Sequence, residues 1–231
     1  MAKEHILNTW KILKTKKPFM DSFMDNYLCK QISVPRTRLL SNKENYEKVI
    51  DFCLRTRRNP NGPDLRKAKK HFYKNFDEFK MLLKKGEFKQ LQELVNQAPG
   101  VGQKIGALIL EVFIFYGANN SKLIKELYVP LDAHTIRMFD EALNMKNVPK
   151  KYSDLKTKLS PFQDELSSHL PANGERIYFD YLWFIGKVFC QKITKSKNSY
   201  SRGYRLCNMC WINNYCQINP KWDYSSINKT L

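Results

Sequence analysis

Three stretches of the chain hold side chains at spacings suited to chemistry. The first is Gln97-Ala98-Pro99-Gly100-Val101-Gly102-Gln103-Lys104-Ile105-Gly106-Ala107. Two glycines one residue apart allow a tight turn and let a ligand approach bare backbone. The N–H groups that open the following apolar run have no partner inside their helix and lie at the positive end of its dipole, which makes them a phosphate site. A Gly-x-Gly turn by itself reads as an ordinary helix–helix connection. With Pro99 before it, Lys104 just behind it and a basic chain around it, it reads as a helix-hairpin-helix, a clamp on the DNA backbone formed by Pro99, Gly100, Val101, Gly102 and Gln103. The second stretch is Val129-Pro130-Leu131-Asp132-Ala133-His134-Thr135-Ile136-Arg137-Met138. Its Asp132 stands where an N-cap is expected, 28 residues after Lys104. The third is the cysteine group: four of the six cysteines (Cys190, Cys207, Cys210, Cys216) fall within 27 residues. Four thiolates suit zinc or an iron–sulfur cluster. Structural zinc usually draws on two Cys-x-x-Cys knuckles and this chain has one, Cys207–Cys210, so spacing leaves both metals open. His5, His71, His134 and His169 are scattered and offer no rival site, and Cys29 and Cys53 stand in apolar company and read as buried core thiols.

The elements that must position these residues read as nearly all helix, because no long run alternates polar and apolar residues at period two. Ile6, Trp10 and Leu13 mark an opening amphipathic helix. Tyr46, Val49, Ile50, Cys53 and Leu54 mark another, followed by Phe79, Leu82 and Leu83, then Phe88, Leu91, Leu94 and Val95. Residues 105–116 are apolar nearly all round, as in a helix at the centre of a domain. Later helices are expected around Ile136, Phe139 and Leu143, over 162–170 and over 175–190. Breaks fall at 59–63, 98–100, 119–120 and 171–174.

The three motifs, in this order, resemble the helix-hairpin-helix base-excision DNA glycosylases, in particular the endonuclease III-like branch. That branch carries Pro-Gly-Val-Gly-x-Lys, then Asp-x-His-x-x-Arg, then an iron–sulfur loop close to C-x6-C-x2-C-x5-C. Here they stand as Pro99–Lys104, Asp132–Arg137 and Cys190-x16-Cys207-x2-Cys210-x5-Cys216. The resemblance covers roughly residues 45–217. It implies that Lys104 is the catalytic nucleophile, Asp132 the catalytic carboxylate, His134 a support for the helix after Asp132, and the four cysteines the ligands of a 4Fe–4S cluster, with zinc as the alternative. It also implies an all-α architecture of two helical domains with the active-site cleft between them, Lys104 on one wall and Asp132 on the other. A helical barrel spans 40–127 with the hairpin at about 88–112, the cluster domain combines 1–39 with 128–220, and 221–231 is a polar tail. The Cys190–Cys207 gap and the Lys–Asp interval are longer than in that branch, and Arg55-Thr56-Arg57-Arg58-Asn59-Pro60 replaces its Gln-Thr loop. By position, Asn59 is the side chain expected to fill the gap left by an extruded base.

Composition agrees with such a partner. The chain has 231 residues, 42% of them hydrophobic, and a formal net charge of +18, which excludes a disordered basic tail and favours a polyanion as partner. No apolar stretch is long enough to span a bilayer and no secretory signal is visible, so an intracellular location (cytoplasm, nucleoid or nucleus), no membrane and a monomer are expected, with Asn119 and Asn228 unglycosylated. Residues 55–74 hold 8 cations against 1 acid, and residues 191–206 hold five cations and no acid. These two segments, through Arg57, Arg58, Lys195, Lys197 and Arg202, are expected to grip duplex DNA. The activity expected is a DNA glycosylase with AP-lyase (β-elimination) chemistry acting on a damaged base, oxidised pyrimidine by preference. The alternatives are an 8-oxoguanine, mismatch or modified-base glycosylase of the same superfamily, or a non-catalytic helix-hairpin-helix DNA-binding protein. Anaerobically purified protein should contain iron and inorganic sulfide; zinc in their place, or no metal, would contradict the cluster assignment.

Overall fold

A computed structural model describes residues 2–56, 63–150, 152–172, 174–191, 194–196, 199–201, 204–206 and 209–216. The fold is all-α in class, as the periodicity predicts. Its α-helices are α1 (Ala2–Thr15), α2 (Lys17–Ile32), α3 (Lys43–Arg55), α4 (Pro63–Lys74), α5 (Phe76–Lys85), α6 (Phe88–Asn96), α7 (Gln103–Glu111), α8 (Ser121–Ile124), α9 (Ala133–Arg137), α10 (Leu155–Ser168) and α11 (Tyr181–Val188). Contacts group residues 15–131 and 170–178 into one compact unit, here the hairpin unit, and residues before 15, 132–169 and those after 178 into another, the cysteine unit. No helix among the described residues is long and apolar enough to cross a membrane.

In the hairpin unit the helices start and stop where local chemistry dictates. Asn42 caps α3 by accepting the Asn45 N–H at 2.8 Å. Tyr46, Val49, Ile50, Cys53 and Leu54 then recur at helical spacing on one buried face. α5 ends at Gly86, whose φ of +78° is a left-handed conformation that suits glycine. α7 has almost no polar face: Ile105 to Tyr116 are buried apart from a half-buried Leu108, and the helix continues into wider π-helical turns over Val112–Ala118. Phe113 on that continuation anchors an aromatic cluster, its ring 5.2 Å from Tyr46 and 5.1 Å from Phe79. Gly106 lets α6 approach α7: a Cβ there would lie 3.3 Å from Val95 Cγ1. Glu111 is fully buried on α7, and burial first, then this carboxylate, pushes the Cys53 thiol far above its usual range.

Two readings from the sequence need revision. Cys29 is exposed, not a core thiol. α2 buries Met20 and Leu28, and Cys29, a hundred degrees further round the helix, faces solvent. Residues 15–39, expected with the cluster domain, make their contacts inside the hairpin unit: Arg36 Nη1 donates to the Tyr116 carbonyl and Lys17 Nζ lies 4.7 Å from the Phe115 ring centre. The all-round apolar character of α7 and its continuation explains this, since such a helix needs cover on every side.

In the cysteine unit, α1 buries Ile6, Trp10 and Leu13. α9 runs into π-helical turns over Met138–Ala142, where Phe139 packs 5.0 Å from Phe162 and 5.7 Å from Phe179. α11 crosses α9 at Gly186, where a Cβ would lie 3.2 Å from His134 Cβ and 3.4 Å from its carbonyl oxygen. After α11 the chain forms nested antiparallel strands: β1 (Cys190–Gln191) pairs with β4 (Tyr204–Arg205), and β2 (Thr194–Ser196) pairs with β3 (Ser199–Ser201). The register sets Cys190 opposite Arg205. Because both glycine crossings are already tight, Gly106→Leu and Gly186→Leu should each lower stability by about 1–3 kcal/mol, read as denaturant midpoints. A loss under about 0.5 kcal/mol would contradict them.

Candidate functional site

The hairpin is built by backbone. α6 stops at Asn96, the Ala98 N–H returns to the Val95 carbonyl at 3.2 Å, and the Val101 N–H closes the turn on the Ala98 carbonyl at 3.1 Å. Gly100 takes φ +68°, which an L side chain adopts only with strain. Gly102 is extended (φ −92°, ψ −179°) and its carbonyl accepts the Gly106 N–H at 2.9 Å to start α7. No side chain caps the N-terminus of α7. A Cβ on Gly102 would meet nothing within 4 Å, so the protein's own packing does not require glycine here. What its bare backbone leaves open is the solvent side, where Gly100 and Gly102 are both exposed. Gln103 is half-buried, its amide nitrogen 3.5 Å from the Val129 carbonyl and its Oε1 buried without a hydrogen-bond partner. Lys104, in the first turn, is half-buried.

Asp132 is the N-cap of α9. Its Oδ1 accepts the His134 N–H at 2.8 Å, the Thr135 N–H at 2.9 Å and the Thr135 hydroxyl at 3.1 Å. The capping geometry anticipated from the sequence is therefore present, and it fixes where the carboxylate sits. Lys104 belongs to the hairpin unit and Asp132 to the cysteine unit, and each is positioned by its own unit.

Arg137, one turn along α9, ties that helix to the first cysteine. Its Nη2 donates to the Gly186 carbonyl at 2.9 Å and to the Cys190 carbonyl, and its Nη1 lies 3.5 Å from Cys190 Sγ. The guanidinium thus holds the backbone and the sulfur of Cys190 against α9. Cys190 is buried and Cys210 and Cys216 are half-buried, and none of the three is in a disulfide. The β1–β4 ladder and the Leu206 N–H bond to the Phe189 carbonyl, at 2.7 Å, return the chain beside Cys190 one residue before Cys207. The described part of the long Cys190–Cys207 interval is thus folded back on itself. Trp211, between Cys210 and Ile212, stacks on Phe184 with centres 5.3 Å apart. His5 on α1 reaches the Tyr215 carbonyl at 3.3 Å, next to Cys216. Among the described residues no three His, Cys, Asp or Glu side chains gather as a metal site; Cys207 lies outside them, as do Arg57, Arg58, Asn59, Lys197 and Arg202. Lys195 lies on β2, opposite Tyr200.

The contact of Arg137 with Cys190 is the feature the sequence reading did not assign. Its signal was present: an arginine one turn into the helix that Asp132 opens. Comparison with protein-family models, curated proteins and solved structures finds no match for this chain.

The cap gives a clean separation of structure from chemistry at Asp132. Asp132→Ala should lose about 1 kcal/mol of stability, whereas Asp132→Asn, an equally good cap, should stay within a few tenths. Thermal unfolding of the two variants checks this; equal losses would mean that the three hydrogen bonds to Oδ1 do not hold α9.

Proposed function

We propose that the protein is a base-excision DNA glycosylase with AP-lyase activity, acting on duplex DNA that contains a damaged base. The observation that carries this reading is the hairpin: a left-handed Gly100, an open Gly102 and an α7 N-terminus without a side-chain cap, with a lysine in the first helical turn behind them. Such an N-terminus with accessible backbone seats a phosphate, and a lysine one turn away lies close to the sugar of that nucleotide. The helix-capping Asp132, the basic segments and the cysteine spacing support the same reading.

The target atom, C1′, is inaccessible inside a stacked duplex, so the nucleotide must be extruded. The C–N bond breaks with oxocarbenium character, and the Asp132 carboxylate stabilises the developing positive charge. The neutral amine of Lys104 attacks C1′, the base departs with the bonding electrons and takes up a proton, and ring opening leaves a protonated Schiff base. Loss of a 2′ proton then expels the 3′ phosphate and nicks the strand. The reading requires Lys104 and Asp132 to reach the same deoxyribose. Cys190, Cys207, Cys210 and Cys216 would hold a 4Fe–4S cluster, or zinc as the alternative, which would supply a structural anchor for the basic loop rather than a step of the reaction. The oxidised pyrimidines remain the preferred substrate class, from the resemblance of the motifs.

Borohydride reduction during turnover on lesion-bearing duplex should trap wild type covalently. Lys104→Gln should give no adduct, and Asp132→Asn should lose at least a hundredfold in single-turnover excision while remaining folded. A wild type without adduct, or a Lys104→Gln variant that traps equally well, contradicts the lyase chemistry. Tight binding without strand cleavage on every lesion would favour the non-catalytic clamp.

A further inference from the structure

A second cationic feature stands in the hairpin unit, apart from the glycine turn. Lys43 at the start of α3 and Arg66, Lys69, Lys70, Tyr73 and Lys74 of α4 line one shallow groove of about 460 Å³. The α4 residues fall at helical spacing, so Arg66, Lys70 and Lys74 form a row that advances about 6 Å per step along the axis. The opposite face of α4 is spent on the core: Ala68 and Phe72 are fully buried, and His71 Nε2 is 2.8 Å from the Leu94 carbonyl.

The floor of the groove is fixed. Asp51, on α3, holds Lys69 Nζ at 2.7 Å and accepts the Tyr73 hydroxyl at 2.5 Å. This one carboxylate is committed to those two groups. Lys43, Arg66, Lys70 and Lys74 are all exposed, and four cations converge there with no acid among the lining residues. Like charges held together on a rigid helix face repel one another, an arrangement that costs stability unless a polyanion neutralises it. The open surface suits a backbone lying across it better than an enclosed small molecule.

We infer that this α3–α4 groove is a second seat for the phosphate backbone of duplex DNA, separate from the hairpin, formed by Lys43, Arg66, Lys70 and Lys74. The choice of duplex DNA as the partner rests on the function proposed above. The groove itself rests on the convergence of charge, which brings in Lys43 from another helix and leaves Lys67 of the same basic segment outside it.

The test is binding of the full chain to undamaged duplex across a salt series. A variant with Lys43→Gln, Arg66→Gln, Lys70→Gln and Lys74→Gln is compared with one carrying Lys84→Gln, Lys85→Gln, Lys89→Gln and Lys122→Gln. Those four are also exposed, so the two variants lose the same net charge. All eight side chains are exposed, and circular dichroism verifies that both variants are folded. The groove variant should lose at least tenfold in affinity at low salt, and its slope of log K against log salt should shrink by about 2–4, since each phosphate contact contributes about 0.9. The control should change less than threefold. Equal losses in the two variants, or an unchanged slope in the first, overturns the proposal. Undamaged DNA undergoes no excision, so this outcome is independent of the trapping experiment: the groove can fail while Lys104 still traps, and the reverse.

Discussion

Burial of α7 is the constraint on which the rest of the hairpin unit depends. From Ile105 onward the helix and its π-helical continuation lie almost wholly in the core, with Phe113 locked between Tyr46 and Phe79. At its start Gly102 is exposed and Gln103 and Lys104 are half-buried, so the N–H groups that a helix cannot satisfy internally are presented at an end that reaches solvent. Gly106 permits α6 to pack close enough for Pro99–Gly102 to close the turn directly above that end. Lys104 therefore sits half-buried on the boundary between the core and the exposed glycine turn.

The cysteine unit solves a matching problem by different means. α9 is short, and short helices have little intrinsic stability. Three hydrogen bonds to one oxygen of Asp132 hold its start, the close crossing at Gly186 holds its middle, and Arg137 pins its end to Gly186 and Cys190. The same residues link the carboxylate to the first cysteine across a single helical turn and a half. Arg137 thus joins the helix that Asp132 caps to the segment that carries Cys190.

Much of this was legible in the sequence because it follows from local chemistry. The apolar face of α3, the all-round burial of α7, the glycine turn and the Asp132 cap each depend on a few neighbouring residues, and each lies where its pattern placed it. What escaped depends on packing between distant segments. Cys29 has apolar neighbours in sequence but stands on the outer side of α2. Residues 15–39 show no pattern that says which unit they cover; contacts such as Arg36 with Tyr116, 80 residues away, decide it. The nested strands between Cys190 and Arg205 carry no alternating apolar pattern to announce them, and what shows them is backbone pairing. The groove on α4 was visible only as a run of positive charge; Lys43, and the bonds from Asp51 to Lys69 and Tyr73, enter through tertiary contact.

The central claim is that the amine behind the hairpin is the group that bonds to the sugar. Peptide mapping by mass spectrometry of the borohydride-trapped protein–DNA complex tests it most directly. The account predicts the deoxyribose remnant on Lys104 alone. A remnant on the N-terminal amine or on any other lysine would contradict it.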